Sequence, residues 1–241
     1  MTAGPPAVVL AAGLGTRMRS QTPKVLHLLA GRPLLSHVLE AVRGAGARPI
    51  VVLSKESEPA RAIVGDGAIV ALQDPPRGTG DAVRVALEAI PDPSGEAFIV
   101  YSDTPLLRGE TLRALAELRA KRGAALALLS GNIGTANAYG RVVRDGSGDV
   151  ARVVEARLAT ADERRLPESN LGAYAIDLAW LRRAVPRLRA NATGEVFLSH
   201  TRLNDRFVIR MAIGHLRTTD THVDRAWQLL SEHTAALARP R

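Results

Sequence analysis

The 241-residue chain contains no cysteine. That excludes disulfides, thiolate zinc sites, iron–sulfur clusters and a cysteine nucleophile. Aromatic residues make up only 3%. No stretch approaches the roughly 20 apolar residues that a membrane span needs. The N-terminal run AVVLAA lacks a basic flank and ends in glycines, so it does not read as a secretory signal. Lysine is scarce: only Lys24, Lys55 and Lys121 carry it, and arginine supplies the rest of the 32 Lys and Arg residues. The net charge is +8, but the arginines are scattered, with no basic run and few aromatics between them. That pattern argues against a nucleic-acid partner and fits a solvated surface or a phosphate-bearing small substrate. What remains is a cytoplasmic enzyme or binding protein, with neither membrane nor nucleic acid as partner.

Apolar residues reach 46% and charged residues 23%, an ordinary globular balance that supports a substantial core. Short continuous apolar runs at Ala7–Ala12, Pro49–Leu53, Ala68–Leu72 and Ala97–Tyr101 read as buried parallel strands. Helical spacing comes after each, at Pro33–Val42, Pro59–Val64, Asp81–Ile90 and Glu110–Arg122, and Ala124–Leu129 is again strand-like. This alternation predicts an open parallel sheet with helices on both faces over the first 130 residues. Beyond it, Gly140–Arg144 and Val150–Glu155 flank Asp-Gly-Ser-Gly as a hairpin. Asn170–Ile176 and Phe207–Ile213 read as further strands, and Asp220–Leu237 as a closing helix. No repeat or linker interrupts the chain. We read one domain over 1–241, with halves at about 1–130 and 131–241.

The first strand runs into Gly13-Leu-Gly15-Thr-Arg17, with Pro23-Lys24 six residues later. Strand, glycine loop and helix are how α/β proteins turn backbone N–H groups toward phosphate. The dinucleotide fingerprint fails because Met18 stands where the third glycine belongs, and no Walker A sequence is present. Two cations, Arg17 and Lys24, flank the loop. A lysine here, in so arginine-rich a chain, has a chemical reason: a compact ammonium reaches a single phosphate oxygen. The alternative is a plain tight turn with a solvated lysine. The six histidines form no close pair of metal-ligand type, and His27 and His37 read as structural.

Leu10-Ala11-Ala12-Gly13-x-Gly15-Thr-Arg17-Met18 and Pro23-Lys24-Val-Leu-His27 resemble the sugar-1-phosphate nucleotidyltransferases. Within them the chain is most similar to the uridylyltransferase domain of bacterial bifunctional N-acetylglucosamine-1-phosphate uridylyltransferase/acetyltransferases. Further matches occur in order: Gln73 with Arg77-Gly78-Thr79-Gly80-Asp81-Ala82, Tyr101-Ser-Asp103, Tyr139-Gly140-Arg141-Val142, Val153-Val-Glu155, Glu168-x-Asn170-x-Gly172 and Gly194-Glu195. The resemblance implies an α/β, Rossmann-like nucleotidyltransferase fold: a mostly parallel mixed sheet flanked by helices. It implies Mg²⁺-dependent transfer of a uridylyl group from UTP to N-acetylglucosamine 1-phosphate or a related sugar 1-phosphate, giving a nucleotide sugar for peptidoglycan precursors.

By the same resemblance, Arg17 and Lys24 are catalytic. Leu10, Ala11, Ala12, Gly13, Gly15, Gln73, Gly78 and Thr79 hold the nucleotide. Tyr101, Gly140, Glu155, Asn170 and Ser199 meet the sugar. Asp103 and Asp224 carry Mg²⁺. Several positions depart from the family. Asp224 replaces its asparagine, Leu171 a threonine, and Phe197 a tyrosine, so acceptor identity is less determined than the nucleotide. The alternatives are another nucleotide specificity, or a non-catalytic module that binds nucleotide or sugar phosphate. The chain ends without hexapeptide repeats, so neither an acetyltransferase activity nor the family's β-helix trimer is expected from it.

Overall fold

The computed structural model describes residues 4–13, 15, 18, 20–156, 158–188, 197–203 and 206–212, with the backbone alone for 187–188, 197–203 and 206–212. In chain order the first half comprises β1 (Pro6–Leu10), a short hairpin of β2 (Leu28–Leu29) and β3 (Arg32–Pro33), and α1 (Leu34–Gly44). It continues with β4 (Arg48–Leu53), α2 (Arg61–Val64), β5 (Ile69–Leu72), α3 (Thr79–Glu88), β6 (Glu96–Tyr101) and α4 (Gly109–Lys121). The second half adds β7 (Leu126–Asn132), β8 (Arg141–Arg144), β9 (Val150–Val154), α5 (Ala161–Arg164), β10 (Glu168–Asp177) and α6 (Leu178–Leu188). A separate antiparallel pair, β11 (Phe197–Leu203) and β12 (Arg206–Ala212), comes last.

The principal sheet has the order β5-β4-β1-β6-β10-β8-β9, with β7 on β10. β5, β4, β1 and β6 are mutually parallel. The apolar runs of β4, β1 and β6 are continuous because both faces are covered, whereas the edge strand β5 leaves Ile69 and Leu72 exposed. Alternate β1 residues serve two cores: Ala7, Val9 and Ala11 face one, Val8, Leu10 and Ala12 the other. The first core is closed by Leu35, Val38, Leu39 and Val42 of α1, which recur at helical spacing, and by Leu112 and Leu115 of α4. The second is closed by Ala82, Val83, Ala86 and Leu87 of α3 and by Leu178, Leu181 and Val185 of α6. Burying each of the larger of these side chains contributes about 1.5–3 kcal/mol. The expected mixed, helix-flanked, Rossmann-like architecture is present.

Two features differ from the sequence reading. The run at Ala124–Leu129 becomes β7, but it pairs antiparallel with β10 rather than extending the parallel set. An apolar run specifies a buried strand and says nothing of its direction. Helix α6 is not expected from the sequence, because it begins directly after β10 with no intervening loop; the Asp177 carboxylate accepts from the Trp180 N–H at 2.6 Å and starts it. The helix expected over 220–237 lies outside the described residues.

Strand β10 is the branch point. Its residues Ala173–Asp177 pair with β6, and Ser169 pairs with Arg141 of β8, while β7 runs along the opposite edge. The register with β7 shifts between Asn170 and Tyr174. Gly172 lies in that bulge with φ +76°, a conformation that favours glycine.

Candidate active site

Parallel strands deliver the residues just past their ends to a common edge, where α/β sheets bind ligands. After β1, Ala11 continues the pairing through its N–H to the Val52 carbonyl at 2.9 Å. Leu10, Ala11 and Ala12 keep their side chains in the cores, so only their backbone is available to a ligand. Gly13 is exposed and faces open space. Gly15 has φ +60°, and a Cβ there would lie 2.8 Å from the Lys24 Cβ. Glycine is therefore required for the loop to lie against Lys24.

Lys24 opens a 3-10 turn, Lys24–Leu26, anchored by the buried Val25. Its ammonium forms an ion pair with the Asp103 carboxylate, 79 residues away in the chain. Asp103 lies just past β6, and its neighbour Ser102 donates its N–H to the Leu10 carbonyl at 3.2 Å. The two strand ends are thus sewn together just where the cation and carboxylate meet. Each of these side chains is about one-third exposed, at 32% and 33%. Arg17 and Asp224 lie outside the described residues.

At the far end of the parallel set, Gln73 comes directly after β5 and is 2% exposed. Its N–H donates to the Leu53 carbonyl at 2.8 Å. Its side-chain Nε2 donates to the Gly78 carbonyl at 3.0 Å and to the Asp81 carboxylate at 2.9 Å. Gly78, at φ +94°, turns the chain into α3, where the exposed Thr79 is the first residue. Burial pushes the Asp81 carboxyl upward, but hydrogen bonds from Gln73 and Arg84 and the charges of Arg84 and Arg77 outweigh it and hold it below the ordinary aspartate value. Gln73 and Asp103 lie past the ends of strands three positions apart in the sheet, roughly 14 Å at strand spacing. An extended nucleotide spans such a distance along one edge.

The antiparallel half meets this edge at Tyr101. A Cβ on Gly172 would lie 2.4 Å from the Tyr101 Cδ2, so the absent side chain makes room for the ring. Asn170 is held on both sides. Its N–H donates to the Gly140 carbonyl at 2.8 Å, its Nδ2 donates to the Tyr174 hydroxyl at 2.7 Å, and its Oδ1 accepts from the Gly172 N–H at 3.2 Å. Gly140 packs against Val153, and a Cβ there would sit 3.0 Å from the Val153 Cγ1. Glu155 is half-buried just past β9. Asn170 and Gly140 are therefore together, and Tyr101 is tied to them through the Gly172 bulge. Ser199 lies on β11 in register with Arg210, and its side chain lies outside the described residues.

Three residues gain significance only from the structure. Asp81 reads in the sequence as a helix start. Tyr174 lies unmarked within a strand run. Arg141 belongs to a family motif without a role of its own. The guanidinium of Arg141 is 1% exposed and donates to the carbonyls of Thr135 at 2.8 Å, Asn137 at 3.1 Å and Tyr139 at 2.6 Å, and to the Asn137 Oδ1 at 2.8 Å. It ties down the loop that leads into Gly140. The signal is available in principle: a buried-strand arginine needs many acceptors, and a loop of free carbonyls supplies them.

For Mg²⁺, the carboxylate at the end of β6 is Asp103, beside Lys24 at a solvent-accessible edge. No group of three or more potential ligands occurs among the described residues. One carboxylate fits an ion that keeps waters and takes the remaining oxygens from substrate phosphates, rather than one in an all-protein cage. No helix among the described residues is long and apolar enough to cross a membrane.

Residues 7–195 match the family model described as the MobA-like NTP transferase domain. The chain is similar to the bifunctional protein GlmU of Kineococcus radiotolerans, with 49% identity over 198 residues, covering 80% of this chain and 40% of that protein. It is 43% identical over 195 residues to GlmU of Heliobacterium modesticaldum, covering 80% and 43%, and 43% identical over 210 residues to GlmU of Thermobifida fusca, covering 83% and 43%. The chain thus spans about two-fifths of the length of these relatives.

Proposed function

The chain belongs to the MobA-like NTP transferase family, and from that premise we propose that it transfers a uridylyl group from UTP to N-acetylglucosamine 1-phosphate. The observation that carries this reading is the meeting of Lys24 and Asp103 beside the Gly15 loop, at the ends of two neighbouring parallel strands. Similarity to the GlmU proteins supports the choice of sugar phosphate.

The chemistry asks little of the protein beyond placement and charge. A sugar 1-phosphate is already ionised near neutral pH, so its oxygen attacks the α-phosphorus without a general base. A new P–O bond forms as the bond from the α-phosphorus to the bridging oxygen breaks, and pyrophosphate leaves with the electron pair. The protein's contributions are orientation and electrostatic stabilisation. The Gly13–Gly15 backbone approaches the triphosphate. Lys24 and Arg17 stabilise charge at the α-phosphate and on the departing pyrophosphate. Gln73, Gly78 and Thr79 meet the base; Tyr101, Gly140, Glu155, Asn170 and Ser199 meet the acceptor. Asp103 and Asp224 would hold Mg²⁺, which supplies charge neutralisation across the phosphates. A nucleoside triphosphate as co-substrate fits a reaction in the cytoplasm.

Pyrophosphate release with Mg²⁺ tests this, using UTP, dTTP, CTP, GTP and ATP against N-acetylglucosamine 1-phosphate, glucose 1-phosphate and mannose 1-phosphate. Release is expected from UTP with N-acetylglucosamine 1-phosphate. Release with a different pair replaces the substrate assignment. Silence throughout, from folded protein that still binds UTP, overturns the enzymatic reading in favour of a binding module.

A further inference from the structure

Gln73 does not face its surroundings as a symmetric donor and acceptor. Both partners of its side-chain nitrogen accept hydrogen bonds: the Gly78 carbonyl at 3.0 Å and the Asp81 Oδ2 at 2.9 Å. Neither can donate, because one is a backbone oxygen and the other a carboxylate. Exchanging the amide's two ends would set oxygen against oxygen at both contacts. The nitrogen is therefore turned inward, and Oε1 is the end left to meet a ligand. Asp81 is itself anchored: Arg84 Nε donates to its other oxygen at 2.8 Å, and Arg84 also reaches Glu88 at 2.6 Å. The Asp81 side chain is 17% exposed. It is a braced acceptor beneath a buried amide, not a solvated helix cap.

We propose that Asp81 is a positioning residue for base specificity: by holding the Gln73 nitrogen inward it presents the amide oxygen to the base, favouring a pyrimidine with an N–H at ring position 3. Uracil carries that N–H. Cytosine in the same pose places a lone pair there, opposite the amide oxygen. Without Asp81 one of the two acceptors holding the nitrogen inward is lost and only the Gly78 carbonyl remains, so the amide turns more readily and its nitrogen then suits the cytosine acceptor. This rests on the reading of Gln73 as a base-facing residue.

The test measures kcat/KM for UTP and for CTP at fixed sugar 1-phosphate, with affinity for each nucleotide measured by calorimetry. The wild-type protein is expected to prefer UTP. In Asp81→Ala the UTP value is expected to fall and the CTP value to rise, lowering the UTP/CTP ratio about tenfold, the scale of one net hydrogen bond. Damage to the fold alone would lower both values together. A wild-type ratio in folded Asp81→Ala overturns the proposal, and so does a fall of the UTP and CTP values by the same factor. Should Asp81→Ala fail to fold, Asp81→Ser replaces it, being suited to a helix start and too short to reach Gln73. A wild-type protein without UTP preference overturns the functional reading as well, whereas UTP preference with an unchanged variant ratio overturns this inference alone.

Discussion

In the parallel half three candidate groups lie just past the ends of strands, whereas in the antiparallel half the central candidate sits where a strand is interrupted. Gly13, Gln73 and Asp103 each come just after a continuous apolar run. Parallel strands all end at the same edge, so the residue after any one of them is delivered there. In the second half, neighbouring strands run in opposite directions and their ends alternate between edges. Asn170 is placed by the β10 bulge, by the positive φ of Gly172, and by a backbone bond to Gly140 from another strand. The first arrangement needs a glycine where the loop lies against Lys24; the second depends on Gly172 and on the buried Arg141 behind the loop that leads into Gly140.

The largest effect should come from the parallel half. Lys24→Ala is expected to lower the rate of pyrophosphate release by about 10²–10³, the usual consequence of removing one charge-stabilising donor. The KM for sugar phosphate should change far less, since Lys24 pairs with Asp103 and not with the Asn170 group. Steady-state kinetics with each substrate varied in turn checks this. A rise in sugar KM equal to the loss in kcat would break the division between halves.

An intermediate effect should separate two glycines. Gly172→Ala combines a left-handed backbone with a Cβ only 2.4 Å from the Tyr101 ring. It is expected to cost about 2–4 kcal/mol, or roughly 5–10 °C in Tm. Gly13→Ala meets nothing within 4 Å and has no such backbone conformation, so its Tm should stay near wild type. Thermal unfolding of the two variants side by side sharpens the contrast. Equal losses would remove the special status of the bulge.

The smallest effect is electrostatic. The Arg144 hydrogen bond, opposed by burial and aided by Ser130, holds the Glu168 carboxyl below its ordinary value. A depressed folded value stabilises the native state above the unfolded value of about 4.3, and that contribution disappears as pH falls through the folded value. Glu168→Gln should therefore destabilise by about 1 kcal/mol or less near neutral pH, because Arg144 is substantially exposed. The difference from wild type should shrink as pH falls below the unfolded value of about 4.3 and vanish only below the depressed folded value. Urea unfolding across that range tests it; a difference growing toward acid would show the opposite sign.

Much of the parallel half was legible because its signals are local. The runs at Ala7–Ala12 and Ala97–Tyr101 announce strands by composition alone, and Lys24 stands out by its rarity. The direction of β7 was not legible, since it depends on a partner some forty residues later. Tyr174 was also hidden, because a tyrosine in an apolar strand looks like packing until Asn170 is found on its hydroxyl.

By itself the sequence determined the parallel sheet, the glycine loop and the family motifs, because periodicity and turn chemistry act over a few residues. Only the tertiary structure decided that Lys24 meets Asp103 across 79 residues, that Gln73 turns its nitrogen toward Asp81, and that Gly172 makes room for Tyr101. Those are choices of partner and orientation. They depend on which strand ends converge and which acceptors are left there, and sequence separation carries no information about either.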